Sequence, residues 1–326
     1  MDEILVSISC ITYNHEDYIS DAIESFLMQK TNFKFEVIIH DDASTDKTAN
    51  IIRKYAKEYP EIIKPILQTE NQYSKHVKII NTYVLPRTTG KYIALCEGDD
   101  YWTDQYKLQK QVDYLEKNPE CTMCFHSAEI VDADGKSTGK LVKPYNEDCI
   151  APIKDIILEG GLFVATNSIL YPKKLMDNPP EFFNNTSVGD YPLQMFLSSK
   201  GYSYYIDQIM SAYRTGVKGS WTTCMNSGED AEEKMIKHHE EIIHLFEDFD
   251  EYCDSKYSNI IDKAKLLREF EILIIKKNIR ALKNPKFREC YYALAIRKRI
   301  QLNIENYFPK LYKKISNFRK KINQIT

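Results

Sequence analysis

Three groups of carboxylates stand apart by type and spacing. Cys96-Glu97-Gly98-Asp99-Asp100-Tyr101-Trp102 places three acids within four residues. Such groups repel one another, and removing them from water without a counter-charge is costly. A divalent cation answers both problems. An all-oxygen donor set suits Mg2+ or Mn2+, which keep positions open for substrate phosphates. Asp41-Asp42 forms the second group, ahead of Ala43-Ser44-Thr45-Asp46-Lys47-Thr48. Helix capping by Ser44 or Thr45, with Asp46 in a first turn, explains the right half of that segment. It leaves the paired acids unexplained, and a carboxylate there can accept the imide N–H of a uracil. The third is Asp190, in Val188-Gly189-Asp190-Tyr191-Pro192-Leu193. With Pro192 in a first helical turn, Asp190 suits an N-cap.

Two other patterns carry less. Cys121-Thr122-Met123-Cys124 is a lone pair with no second pair at ligand spacing, and its alternation reads as a strand with structural thiols. His238-His239-Glu240-Glu241 falls on an expected helix, where adjacent side chains diverge by about 100°. It reads as a solvated face.

The elements around the acids alternate. Ile4–Thr12 predicts a strand, His15–Gln29 a helix, Phe35–His40 a strand ending at Asp41-Asp42, and Thr45–Tyr59 a helix stopped by Pro60. Ile62–Leu67 and Lys91–Cys96 are further strands, the latter running into Glu97, and Asp104–Lys117 is a helix stopped by Asn118-Pro119. Strand–helix alternation means a mostly parallel sheet, whose strand C-termini share the ligand-binding edge. Both acidic clusters fall on that edge. Beyond Asp132 a short helix near Ile153–Leu158, a strand at Phe163–Tyr171, a helix after Asp190 and a strand at Tyr202–Ile206 complete an α+β half. From about Glu229 the pattern is helical.

The chain has 326 residues, 43% hydrophobic and 28% charged, which suits one sizeable α/β domain with an appendage. Its eight cysteines lie mostly in apolar segments and read as reduced core residues. Met1-Asp2-Glu3 lacks the basic start of a signal peptide, and no run nears the roughly 18 apolar residues of a spanning helix. A cytosolic protein is expected. The net charge of -3 conceals an asymmetry: residues 286–326 hold eleven Lys/Arg against two Glu. Basic residues interleaved with Ile, Leu and Phe over 297–322 predict an amphipathic helix on an anionic membrane, on the inner face of the cell membrane. No nucleic-acid-binding fold supports a nucleic-acid partner.

The segments Ser9-Cys10-Ile11-Thr12-Tyr13-Asn14, Asp41-Asp42-x-Ser44-x-Asp46-x-Thr48 and Glu97-Gly98-Asp99-Asp100 resemble, in order and spacing, family 2 glycosyltransferases of the GT-A fold. The resemblance covers residues 3–130, thins toward 222 and is absent beyond. It implies an α/β GT-A domain over 1–222, with 1–130 binding the nucleotide-sugar and 131–222 the acceptor, and a helical region over 223–326. Ile11, Thr12, Tyr13 and Asn14 would line the base, and Asp42 would accept from uracil N3 with Asp41 in support. Asp99 and Asp100 match the metal-binding motif, with Glu97 standing where many members have an Asp. Ala43 replaces the usual Gly, and the common Pro before Tyr13-Asn14 is missing. Asp190 would deprotonate the acceptor hydroxyl, Arg214 would meet the diphosphate, and Trp221 would stack on a sugar. The QxxRW motif and membrane spans of the processive synthases are missing, so transfer of one sugar is expected, from a UDP-sugar to a glycan or carrier-lipid-linked glycan. Two rivals differ in class. A nucleotidyltransferase needs a Gly- and Lys/Arg-rich loop after the first strand, and Thr12–Tyr18 has none of these residues. A non-catalytic nucleotide-sugar scaffold would not need Asp99, Asp100 and Asp190 together. Oligomeric state is not encoded legibly.

Overall fold

The computed structural model of the chain describes residues 3–308, except Leu162 and the side chain of Asn184. The second part of the expected basic tail, including Lys313, Lys314 and Arg319, lies outside the described residues. The chain divides into two compact units, Met1–Cys224 and Met225–Thr326.

The first unit runs β1 (Ile4–Thr12), α1 (Ile19–Leu27), β2 (Lys34–Asp41), α2 (Thr48–Glu58), β3 (Ile63–Leu67), β4 (Tyr92–Leu95), β5 (Tyr101–Trp102), α3 (Lys107–Lys117) and β6 (Cys121–Val131). It continues with β7 (Ser137–Val142), β8 (Cys149–Ala151), α4 (Ile153–Glu159), β9 (Leu170–Pro172), α5 (Asp190–Lys200) and β10 (Tyr202–Arg214). One sheet takes the order β3-β2-β1-β4-β9-β6-β10-β5, with β7 added to β6 and β8 to β10. β3, β2, β1 and β4 are mutually parallel, as are β6 and β10, while β9 joins the two sets antiparallel to both. This is the GT-A architecture, with a helical C-terminal region.

β1 shows why the sheet is buried on both faces. Val6, Ile8 and Cys10 point into a core with Ile19, Phe26 and Leu108. Ser7, on the other face, donates to the buried Glu36, which Lys64 neutralises from β3. A two-sided strand needs apolar residues throughout, or polar ones with partners.

Several boundaries differ from the sequence expectation, and three of them show why. The helix expected from His15 starts at Ile19, because the amide N–H groups of His15 and Glu16 donate sideways to Thr48 and Asp46. The strand expected over Phe163–Tyr171 contracts to β9. Asn167 is the cause: its Nδ2 donates to Asp100 and to the Ala212 carbonyl, and its Oδ1 accepts from Ser211. These bonds fix a 3-10 turn at Thr166–Ser168. β10, in contrast, runs well past Ile206 and delivers Arg214 to the acidic turn. Cys121 and Cys124 are buried thiols of β6.

The second unit contains α7 (Ala231–Tyr252) and α8 (Ser258–Ile275), which pack together, after α6 (Trp221–Met225), which spans the boundary. Shorter α9 (Ile279–Leu282), α10 (Arg288–Ala293) and α11 (Ile296–Tyr307) close on Phe270 and Leu302. The expected solvated face fails at His239, which is buried on α7 beside the half-buried His238, with ring centroids 5.9 Å apart. Among the described residues no helix is long and apolar enough to cross a membrane.

Candidate active site

The site forms where β1, β2 and β4 end. Gly98 decides how closely these ends approach: a Cβ there would stand 2.6 Å from Thr12 Oγ1 and 3.2 Å from His15 Nδ1. Its amide N–H bonds the Ile11 carbonyl at 2.9 Å. The turn after β4 therefore lies directly on the end of β1.

The loops after β1 and β2 are stitched together. Asn14 adopts φ 56°, its amide donates to Ser44 Oγ at 2.8 Å, and its side-chain oxygen accepts from the Thr45 amide at 2.8 Å. Asp41 is buried and accepts from the amide and hydroxyl of Ser44. Burial raises its pKa against the opposing pull of those bonds. Ala43 sits between them at φ 63°, a left-handed conformation that favours glycine. Asp42 has a different task from Asp41. Its two oxygens accept from the amides of Gln72 and Tyr73, at 2.8 and 3.0 Å, and so organise the loop after β3. Each oxygen keeps a second lone pair, but the carboxylate is buried. Of the expected base-lining residues, Tyr13 is exposed, Thr12 is buried against Gly98, and Ile11 packs on Ile38 and Val84.

The acidic turn splits its carboxylates. Asp100 is buried: one oxygen accepts from the Arg214 amide at 2.7 Å and the other from Asn167 Nδ2 at 3.0 Å. Burial first, then the charges of Asp99 and Glu97, hold its pKa well above the usual carboxylate range. Asp99 is less enclosed, its side chain 14% exposed, and its Oδ2 lies 3.9 Å from His15 Nε2. Glu97 keeps a solvent-facing surface. The protein crowding around it, with the charges of Asp99 and Asp190, pushes its carboxyl up to about 8. Glu97 and Asp99 are thus the less enclosed carboxylates of the turn, while the expected ligand Asp100 is engaged inside the protein.

Asp190 begins α5, a helix buried along nearly its whole length from Tyr191 to Ser198. Its Oδ1 accepts from the Tyr191 amide at 2.8 Å, and burial raises its pKa. Its other oxygen faces Gly161, where a Cβ would stand 3.6 Å away. So enclosed a helix holds the Asp190 backbone in one place.

Arg214 departs from its expected place at a phosphate. Its guanidinium is buried, donating from Nε to the Asp99 carbonyl at 2.8 Å, from one terminal nitrogen to the Ala133 carbonyl and from the other to Asp21. The rings of Tyr18 and Tyr101 flank it, 4.8 and 5.2 Å from their centroids. It is a strut for the acidic turn. A planar fork of five donors suits that use as well as it suits a phosphate, so residue type alone did not separate the two. Trp221, at the start of α6, is partly exposed.

Two contributors carry no motif. Lys107 is fully buried, 3.9 Å over the Trp102 ring, and Trp102 Nε1 donates to the Asn167 carbonyl. The loop at 71–78 carries His76 at φ 59°, and Lys78 beyond it donates to the Thr186 carbonyl, four residues before Asp190. Neither could be found by acid spacing. Among the described residues no three His, Cys, Asp or Glu side chains converge on a cation-sized space. Glu97 and Asp99 still fit a hard cation that takes its remaining oxygens from substrate phosphate and water.

Residues 7–168 match the model of glycosyl transferase family 2. The chain carries a family 2 glycosyltransferase domain. The Mycobacterium tuberculosis protein Rv1520 is 38% identical over 220 residues, 66% of this chain and 60% of that protein. The Escherichia coli UDP-Glc:alpha-D-GlcNAc-diphosphoundecaprenol beta-1,3-glucosyltransferase WfaP is 34% identical over 140 residues, 43% of this chain and 52% of that one. The chain thus spans only part of the length of these relatives. Among solved structures, S. aureus TarS 1–349 in complex with UDP-GlcNAc superposes with a TM-score of 0.56 at 16% identity, covering 93% of this chain and 91% of that one. That likeness extends the GT-A fold beyond the family 2 domain's matched residues.

Proposed function

We propose that the chain transfers one sugar, with inversion, from a UDP-sugar to a hydroxyl of a carrier-lipid-linked glycan in surface-polysaccharide synthesis. What supports this most is the placing of Glu97 and Asp99 in the turn where β1, β2 and β4 end, with the charges of Asp99 and Asp190 both acting on the Glu97 carboxyl. In the reaction the acceptor oxygen bonds to the anomeric carbon, the bond from that carbon to the diphosphate oxygen breaks, and Asp190 takes the hydroxyl proton. Glu97 and Asp99 would hold Mg2+ or Mn2+, whose charge offsets that of the leaving diphosphate. A lipid-linked acceptor fits the name of WfaP, and peripheral attachment at the inner face of the cell membrane would bring enzyme and acceptor together.

Calorimetric titration of UDP, against GDP and CDP, with Mn2+ and then chelator tests the donor site. Metal-dependent UDP binding that Asp99→Ala abolishes is the expected outcome, and no nucleotide binding by a folded protein refutes it. Asp190→Asn should keep that binding and lower turnover by about 10²–10⁴-fold. Parental turnover in that variant would instead remove Asp190 from the chemistry.

A further inference from the structure

The last helices of the second unit leave a large apolar surface in solvent. Tyr292, Ile296, Ile300, Tyr307 and Phe308 are 62, 66, 53, 59 and 62% exposed. These five fall within seventeen consecutive residues. They are not the ragged end of a core: α11 already spends its inner face on Leu302, which is 1% exposed and packs with Phe270, Leu282 and Tyr291. At about 100° per residue, Ile296, Ile300 and Tyr307 share a sector about 40° wide, and Leu302 lies about 140° from its centre. α11 is thus apolar on two opposite sides, and among the described residues of its unit only one is covered.

Charge identifies what fits the other side. Residues 276–308 contain nine Lys/Arg and only Glu289 and Glu305 as acids. The cations stand among the exposed rings: Arg299 lies 5.4 Å from the Tyr292 centroid and Lys283 5.7 Å from that of Tyr307. A symmetric second copy would set this basic patch against itself, since a two-fold interface opposes like with like. A nucleic acid would satisfy the charge and leave the isoleucines wet. An anionic bilayer satisfies both, taking Ile and Phe below the headgroups, Tyr at their level and Lys/Arg against the phosphates.

We propose that the α10–α11 face, centred on Ile296, Ile300 and Tyr307, is a docking surface for anionic phospholipid. This gives the peripheral attachment suggested under Proposed function a defined surface among the described residues. The transferase reading does not depend on it.

The test is co-sedimentation of the full chain with vesicles of phosphatidylcholine alone, or with about one third phosphatidylglycerol. Binding should need the anionic lipid and weaken about tenfold or more in Ile296→Glu/Ile300→Glu, with helical circular dichroism and UDP titration unchanged. Lys313→Glu/Lys314→Glu, which alters only the tail, should weaken binding less. Three outcomes overturn the proposal: parental binding by the isoleucine variant, loss confined to the tail variant, or a parental dimer in light scattering that the isoleucine variant abolishes. Loss of UDP binding in the parent would refute the donor site and leave the vesicle result standing.

Discussion

Replacing Arg214 separates a strut from a phosphate ligand. Arg214→Met removes three side-chain hydrogen bonds. The one to Asp21 counts for little, because that carboxylate is half exposed. The other two reach the Asp99 and Ala133 carbonyls. Charged donors to such acceptors contribute about 1.5–3 kcal/mol each, so the variant should lose about 4 kcal/mol. In a unit of this size that lowers the melting temperature by about 10 °C. Arg214→Lys can reach one carbonyl at most and should lose about half as much. Thermal unfolding followed by circular dichroism, beside UDP titration in Mn2+, reads both properties. A strut predicts a less stable Lys variant whose UDP affinity falls only modestly. A Lys variant that melts with the parent and binds UDP about a hundredfold more weakly would refute the strut and restore the phosphate contact.

Two further substitutions test buried features of the same unit. Burial pushes the Lys107 ammonium down to about 7, against about 10.4 in an unfolded chain. Below pH 7 both states carry the proton and the full cost, about 5 kcal/mol less about 2 returned by the Trp102 ring, is present. Between pH 7 and 10 the unfolded chain binds the extra proton, so stability rises with pH. Lys107→Met should therefore be about 3 kcal/mol more stable in urea unfolding at pH 6.5, with the advantage shrinking by pH 9. An advantage independent of pH would place its origin elsewhere. Ala43→Gly should relieve a left-handed strain of about 1–2 kcal/mol and return part of it as unfolded-chain entropy, for a melting point about 2 °C higher. A lower melting point would show that the loop tolerates φ 63° without strain.

The sequence showed best what depends on neighbours in the chain. The parallel half was legible because strands of Ile and Val alternate with helices whose apolar spacing is regular, and both acidic clusters terminate strands. Asp190 at a helix start followed from Gly189 and Pro192. What escaped depends on partners far along the chain. Asp100 and Asp99 are adjacent and alike, and only the arrival of Asn167 and the Arg214 amide turns one inward. The same holds for Asp42, whose partners are the amides of Gln72 and Tyr73, with no side-chain signature. Asn167 reads as a polar blemish in an apolar run until Asp100, Ala212 and Ser211 are seen around it.

The strut also fixes when the site is finished during synthesis. The loops after β1 and β2 can join once some fifty residues have left the ribosome, but Arg214 follows Asp100 by 114 positions. At typical elongation rates that interval is on the order of ten seconds. Throughout it the acidic turn lacks the bonds that sort its carboxylates, so a chain released early has the joined loops after β1 and β2 without a set acidic turn. Such a fragment would occupy neither donor nor acceptor productively, and the last strand of the sheet doubles as a check that translation has passed through the domain.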